Sequence, residues 1–281
     1  MSESMTQSPT HLPEFSSSPL IEVAISLQFA TLSRVRTVHL GSLWDVFRAN
    51  FPKFAEHPPL NPAFETFGPA ANPSEQVRFE LVTQPPLPRV WFLDQKGVEL
   101  IQFQADRFIH NWRKVGDETT YPRYERIRER FLEEVALLAE FLNRESLGAI
   151  EPNQCELTYI NHIISLPGED LAAEPGKVLR TWDTQALRLL PLPREDARMM
   201  MRFILRKGDD EPLGRILVSV DPGRQPDGTS VVQLTLVGRG RPAGSSASDI
   251  QQFLDLAREN IGQVFLAITT DEMQQRWGRQ Q

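Results

Sequence analysis

The chain has 281 residues, 40% of them hydrophobic and 24% charged, which fits an ordinary globular protein and excludes collagen-like, mucin-like or wholly disordered chains. Its formal charge of −7 divides into 15 Lys+Arg against 20 Asp+Glu up to residue 155 and 15 against 17 beyond it, so neither part is basic. Nucleic-acid affinity rests mainly on cations set against phosphates, and this balance counts against a DNA or RNA partner.

Residues 1–18 are polar and rich in Ser and Pro, with no basic segment leading into an apolar run. They read as a flexible tail, not a secretory signal. Alternation of Val23, Ile25, Leu27 and Phe29 with smaller or polar residues predicts a first strand over 21–29. Ser42 with Asp45 three residues on predicts a capped helix over 43–51, with Trp44 and Phe47 in its buried stripe. The segment 57–88 is rich in Pro and Asn and reads as a variable excursion holding one short strand at 76–82. Strands are expected at 89–93 and 98–104, separated by a turn at Gln95-Lys96-Gly97. The apolar phase then slips between Phe103 and Phe108, which requires a turn or bulge at 105–107. From 121 to 145, Tyr124, Ile127, Phe131, Val135, Leu138 and Phe141 form a long helical stripe.

Past Gly148 the order recurs. A strand at 156–166 and a short helix at 171–182 are followed by strands at 187–190, 198–207, 215–221 and 230–238. Turn residues separate these strands at 208–210 and 222–228. A closing helix at 247–268 carries Ile250, Phe253, Ala257, Ile261 and Ile268 on one stripe, and Thr269 with Glu272 predicts a cap for a last short helix near Trp277. The expected class is therefore α+β. Two similar units, 19–155 and 156–281, each run strand, helix, antiparallel meander, long helix. They suit a helix-grip or a saddle like that of TATA-box-binding proteins, although one decorated helix-grip domain gives a similar string.

Chemistry is sparse. Apolar runs such as 216–220 are strand-sized, far short of the roughly 20 residues a membrane span needs, so no membrane crossing is expected. Cys155, the only cysteine, has no internal disulfide partner and a strand-like flank. It reads as a small core residue in a reducing cytoplasm. None of the five histidines is paired at a metal-ligand spacing, and neither a metal nor a cofactor is expected. A nucleophile elbow, a phosphate loop and a calcium loop are likewise missing, so no catalytic residue is assigned. His110, Asn111 and Trp112 on one predicted strand and Tyr159, Asn161 and His162 on another are the ligand-binding candidates, provided that both strands border one cleft. For partner contact the candidates are Met200 and Ile204, which alternation places on one strand face, with Arg239 and Arg241 beside a glycine-rich strand end.

Several stretches together carry a resemblance. They are Pro19-Leu20-Ile21-Glu22-Val23, Arg107-Phe108 through Asn111-Trp112-Arg113, Tyr121-Pro122-Arg123-Tyr124, Tyr159-Ile160-Asn161, and a C-terminal set of Phe265, Thr269-Thr270, Met273 and Trp277-Gly278. With these the chain resembles a sporadically distributed bacterial family of uncharacterised proteins. The resemblance brings no activity with it. Its patchy distribution implies mobile accessory genes, including defence and toxin–antitoxin modules. The expected function is non-enzymatic binding of a protein or peptide in the cytoplasm. A small-molecule binder or enzyme with a helix-gripped pocket is the alternative, and nucleic-acid binding by a duplicated saddle comes third.

Overall fold

The structure, a computed structural model, describes residues 14–67, 87–182, 191–192, 194–206, 211–225 and 227–280. In chain order come β1 (Leu20–Phe29), α1 (Thr37–Phe47), β2 (Lys53–His57), β3 (Arg89–Leu93), β4 (Glu99–Gln104), β5 (Arg107–Arg113) and α2 (Tyr124–Arg144). After them lie β6 (Pro152–Ile164), a 3-10 turn (Pro175–Lys177), β7 (Met199–Leu205), β8 (Gly214–Arg224), β9 (Ser230–Gly240), α3 (Ala247–Ile268) and α4 (Asp271–Arg276). The class is α+β. The strands form one antiparallel sheet in the order β2-β3-β4-β5-β1-β6-β9-β8-β7, with β1 and β6 paired at its middle.

Strand alternation gives this sheet two different faces. Register carries Ile25 across to His110 and Ile101 on one side and to Leu157 and Gly238 on the other, and nearly every residue of this face is buried. The helices cover that face. Phe47 of α1 lies 6.2 Å from Phe92 and 6.1 Å from Phe108, and Phe131 of α2 lies 6.2 Å from Phe108, between ring centroids. In α2 the stripe Tyr124, Ile127, Phe131, Leu138, Phe141 and Leu142 is buried, each fully buried apolar side chain contributing roughly 1.5–3 kcal/mol. α3 approaches closest, because Gly238 on β9 has no side chain. A Cβ there would meet the Ala257 Cβ at 2.8 Å. The Ser246 side chain accepts from the Asp249 N–H while Asp249 accepts from the Ser246 N–H, both at 3.1 Å, and this reciprocal cap fixes the start of α3.

Several boundaries differ from those expected. α1 begins at Thr37 instead of 43, so Ser42 lies inside it; the His39 Nδ1 accepts the Arg36 N–H at 2.9 Å and takes over the capping role. β2 was not expected, and pairs with β3 from Lys53↔Leu93 to His57↔Arg89. The phase slip at 105–107 is a two-residue hairpin turn: Gln104 pairs with Arg107, and the two intervening residues reverse the parity of the alternation. β6 begins at Pro152, ahead of the expected 156.

The expected helix at 171–182 is instead coil with one 3-10 turn, since Pro175 lacks an N–H and Gly176 follows it. Leu171, Val178 and Leu179 are nonetheless fully buried, so their apolar spacing records packing and not helix. α4 is capped by Thr270, one residue later than expected. The expected tail is also shorter at its inner end. Ser16 and Ser17 donate backbone hydrogen bonds to the Gly278 and Trp277 carbonyls at 3.1 and 3.0 Å, and Phe15 packs edge-on against Phe265 and Trp277. The expected strands at 76–82 and 187–190, the turn at 208–210 and residues 1–13 lie outside the described residues.

Candidate functional site

The two strands that carry the ligand-binding candidates both lie in the central part of the sheet, on either side of β1. Alternation then divides the six residues between two faces. His110, Trp112, Tyr159 and Asn161 point to the helix side; Asn111 and His162 belong to the opposite, open face. Asn111 there donates to Glu22 at 2.6 Å and accepts from Gln102 at 2.7 Å, while His162 contacts Gln233 at 3.2 Å.

Among the four on the helix side, Tyr159 and Asn161 line a cavity of about 130 Å³. Its floor is Leu236 with Tyr159 and Asn161, and its roof is the α3 stripe Arg258, Ile261, Gly262, Phe265 and Leu266. Tyr121 from the chain entering α2 and residues Glu14, Phe15 and Ser18 border its sides. Trp112 stands behind this wall, its ring 5.2 Å from that of Tyr121. Glu14 and Arg123 at the rim share a two-pronged ion pair, with both contacts at 2.8 Å.

The cavity's polar groups are incompletely satisfied. Asn161 donates to the Leu234 carbonyl at 3.1 Å, but the Arg258 Nε is buried without a hydrogen-bond partner, and the buried Tyr121 and Tyr159 hydroxyls have only each other. Burial raises both tyrosine hydroxyls above their ordinary range, so they remain protonated. Tyr121 opens the Tyr121-Pro122-Arg123-Tyr124 stretch, whose spacing does not mark it as a cavity residue. The legible sign of Arg258 was a cation sharing a helix stripe with Ile261 and Phe265.

His110 serves another purpose. It is wholly buried, with Nδ1 hydrogen-bonded to Glu134 Oε2 at 2.8 Å, and Glu134 is the one polar member of the α2 stripe. Arg130 Nε lies 3.6 Å from the other Glu134 oxygen, and Arg130 is also ion-paired with Glu99. This cluster ties β5 to α2 through the core, away from the cavity.

The partner-contact candidates Met200, Ile204 and Arg239 share the open face. Register runs Ile204↔Arg215↔Arg239↔Glu156 across β7, β8, β9 and β6, and Met200↔Ser219↔Thr235↔Ile160 in a parallel row. Met200 is 66% and Ile204 53% exposed. Arg241 follows the end of β9 and is exposed, outside both rows.

Arginines from both halves populate this face: Arg89, Arg107, Arg113, Arg202, Arg215 and Arg239. A strap formed by residues 60–67 crosses it. Ala63 and Leu60 donate backbone N–H groups to Gln28 and Gln104, each at 2.9 Å, and Arg107 reaches the Asn61 carbonyl at 3.1 Å. Glu65 from the strap binds Arg215 at 2.5 Å and Arg239 at 3.4 Å, while Arg239 is also held by Glu156 at 2.5 Å. Pro- and Asn-rich composition marked this segment only as an excursion, because nothing local reports where it lands.

No family model and no curated protein matches the chain. Among the described residues, no helix is long and apolar enough to cross a membrane, and no group of three or more His, Cys, Asp or Glu is placed to hold a metal ion. Cys155 is fully buried on β6, and burial pushes its thiol up to about 12. It is therefore a protonated, shielded thiol at neutral pH. Reaction with a disulfide reagent such as dithionitrobenzoate is expected only after denaturation; a fast stoichiometric reaction of the folded protein would contradict this packing.

Proposed function

We propose that the chain is a non-enzymatic binding protein, built from two similar units in tandem as a saddle, whose open sheet face engages a protein or peptide partner. Strand order supports the tandem part. About the central β1–β6 pair the order reads β5-β4-β3 to one side, with β2 as an added edge strand, and β9-β8-β7 to the other, and β5 and β9 each lead into a long helix. A meander returning beside its own first strand, then roofed by its helix, is the same wiring used twice.

The observation that carries the binding part is the solvent-facing apolar pair Met200 and Ile204, seated on a sheet face that none of the three long helices covers. Leu217 and Val237, aligned in the row between them, are half-buried and extend the apolar surface toward β6. Arg202 stands in the same row, so the surface suits an apolar segment with an acidic neighbour. Methionine adapts its shape at little cost, which favours it at surfaces that admit varied side chains. Glu65 and Glu156 already neutralise Arg215 and Arg239 nearby, and this weighs against a phosphate backbone as the occupant.

Affinity capture from a bacterial lysate tests the reading. The wild-type chain should retain a protein in stoichiometric amount, and the double variant Met200→Asp/Ile204→Asp should lose it while keeping its thermal midpoint, because both side chains are already in water. Retention of the same protein by the folded double variant would sink the proposal.

A further inference from the structure

The seam cavity has the chemistry of a receptor for a small anion. Three features converge there, and none is used by the open-face docking described above.

Its cation comes first. Arg258 has no carboxylate within salt-bridge distance among the described residues, and its guanidinium lies instead over the rings of Tyr159 at 5.5 Å and Tyr124 at 5.9 Å. Cation–π contact holds the group in place without neutralising its charge. Asp255 sits one turn earlier on α3, but it is occupied by the Tyr124 hydroxyl at 2.8 Å and Arg128 at 2.6 Å.

The second feature is the set of orphaned donors. Arg258 Nε lines the cavity with no hydrogen-bond partner, and the Tyr121 and Tyr159 hydroxyls beside it have only each other. Leaving a buried polar group unsatisfied costs about 1–3 kcal/mol, and an unpaired guanidinium N–H beside two hydroxyls with no other partner points to a guest that satisfies them together. Each can donate. A carboxylate, with two oxygens and about four lone-pair positions, accepts all three.

Apolar lining is the third. Phe15, Leu20, Leu236, Ile261, Phe265 and Leu266 make most of the remaining wall, and the Glu14 carboxylate at the rim is already paired with Arg123. A volume of about 130 Å³ is close to that of engineered apolar cavities of about 150 Å³ that admit benzene. A body of about six carbons therefore fits, and a bare, strongly hydrated inorganic anion would leave that wall unfilled.

From this combination we infer that the cavity between α3 and the centre of the sheet binds a small monocarboxylate with an apolar body, its carboxylate held by Arg258, Tyr121 and Tyr159. Glu14, Phe15 and Ser18 border the site, and the Trp277 ring backs its wall at 5.4 Å from that of Phe265. An occupied cavity is thus expected to stabilise the docked N-terminal segment as well.

Titration calorimetry on the full-length chain tests this with sodium benzoate and sodium hexanoate, each against its neutral amide. At least one acid should bind, at least about tenfold tighter than its amide, as expected for a charge-assisted pair. Arg258→Gln should reduce binding of that acid about tenfold or more, and Tyr159→Phe should weaken it to a smaller degree. The acid-to-amide ratio is measured on the wild-type chain, so the test stands even where a variant folds poorly. Absence of binding by both acids, equal binding of acid and amide, or unchanged binding by a folded Arg258→Gln variant would overturn the inference. Each of these outcomes is independent of whether the open face docks a partner.

Discussion

Replacing Glu134 by Ala is expected to cost about 1.5–3 kcal/mol of folding stability, the range for losing a buried hydrogen bond and leaving its partner unsatisfied. For a chain of this size that corresponds to a fall in thermal midpoint of roughly 3–12 °C. The loss arises at His110. Its Nδ1 has Glu134 as its hydrogen-bond partner and its Nε2 has none, so truncation leaves a wholly buried imidazole with neither nitrogen satisfied. Arg130 retains Glu99 and does not share in the cost. A double variant, His110→Leu/Glu134→Leu, keeps the volume and removes the polar atoms, and should be more stable than Glu134→Ala. Chemical denaturation of the three proteins checks this; a Glu134→Ala protein within about 1 kcal/mol of wild type would show that His110 finds another partner.

Gly238→Val should have a comparable effect, about 3 kcal/mol, by a different route. Glycine normally weakens a strand, so an added side chain would help where space allowed. Here it does not. A Cβ at Gly238 meets Ala257 at 2.8 Å and the Ile216 and Ile261 side chains at 3.3 Å, so α3 must lift from β9. Ala257→Gly in the Gly238→Ala background removes the closest of these contacts and should recover part of the loss measured for Gly238→Ala alone. No recovery would place the strain elsewhere.

Long periodic segments were the legible part of the fold. The stripes of α2 and α3, the alternation of β1 and β9, and the meander turn at 95–97 each state their burial locally, through spacing that one element's geometry imposes. Short elements depend on remote partners and were misread. Leu171, Val178 and Leu179 have helical spacing, yet they are buried by a coil that Arg180 and Thr270 pin to the C-terminal end of α3. His39 caps α1 where Ser42 and Asp45 offered a stronger pattern, because Thr37 and Val38 extend the helix past it.

For the cavity, sequence supplied two of the polar lining residues. Tyr159 and Asn161 were named, but His110 and Trp112, on the same sheet face, turned out to serve packing. Arg258 and Tyr121 escaped notice because they come from α3 and the entry to α2, which register alone does not align with β6. Asn111 and His162 fell on the far face through parity: a strand neighbour one residue away points to the opposite side.

Peroxide footprinting of methionines, read by mass spectrometry, examines the docking surface most directly. In the free protein Met200, 66% exposed, should oxidise quickly, and Met273, 1% exposed, should resist as an internal standard. In the complex captured with its partner, Met200 oxidation should slow several-fold while Met273 is unchanged. Equal oxidation of Met200 in the free and bound protein would place the partner elsewhere and contradict binding through the open face.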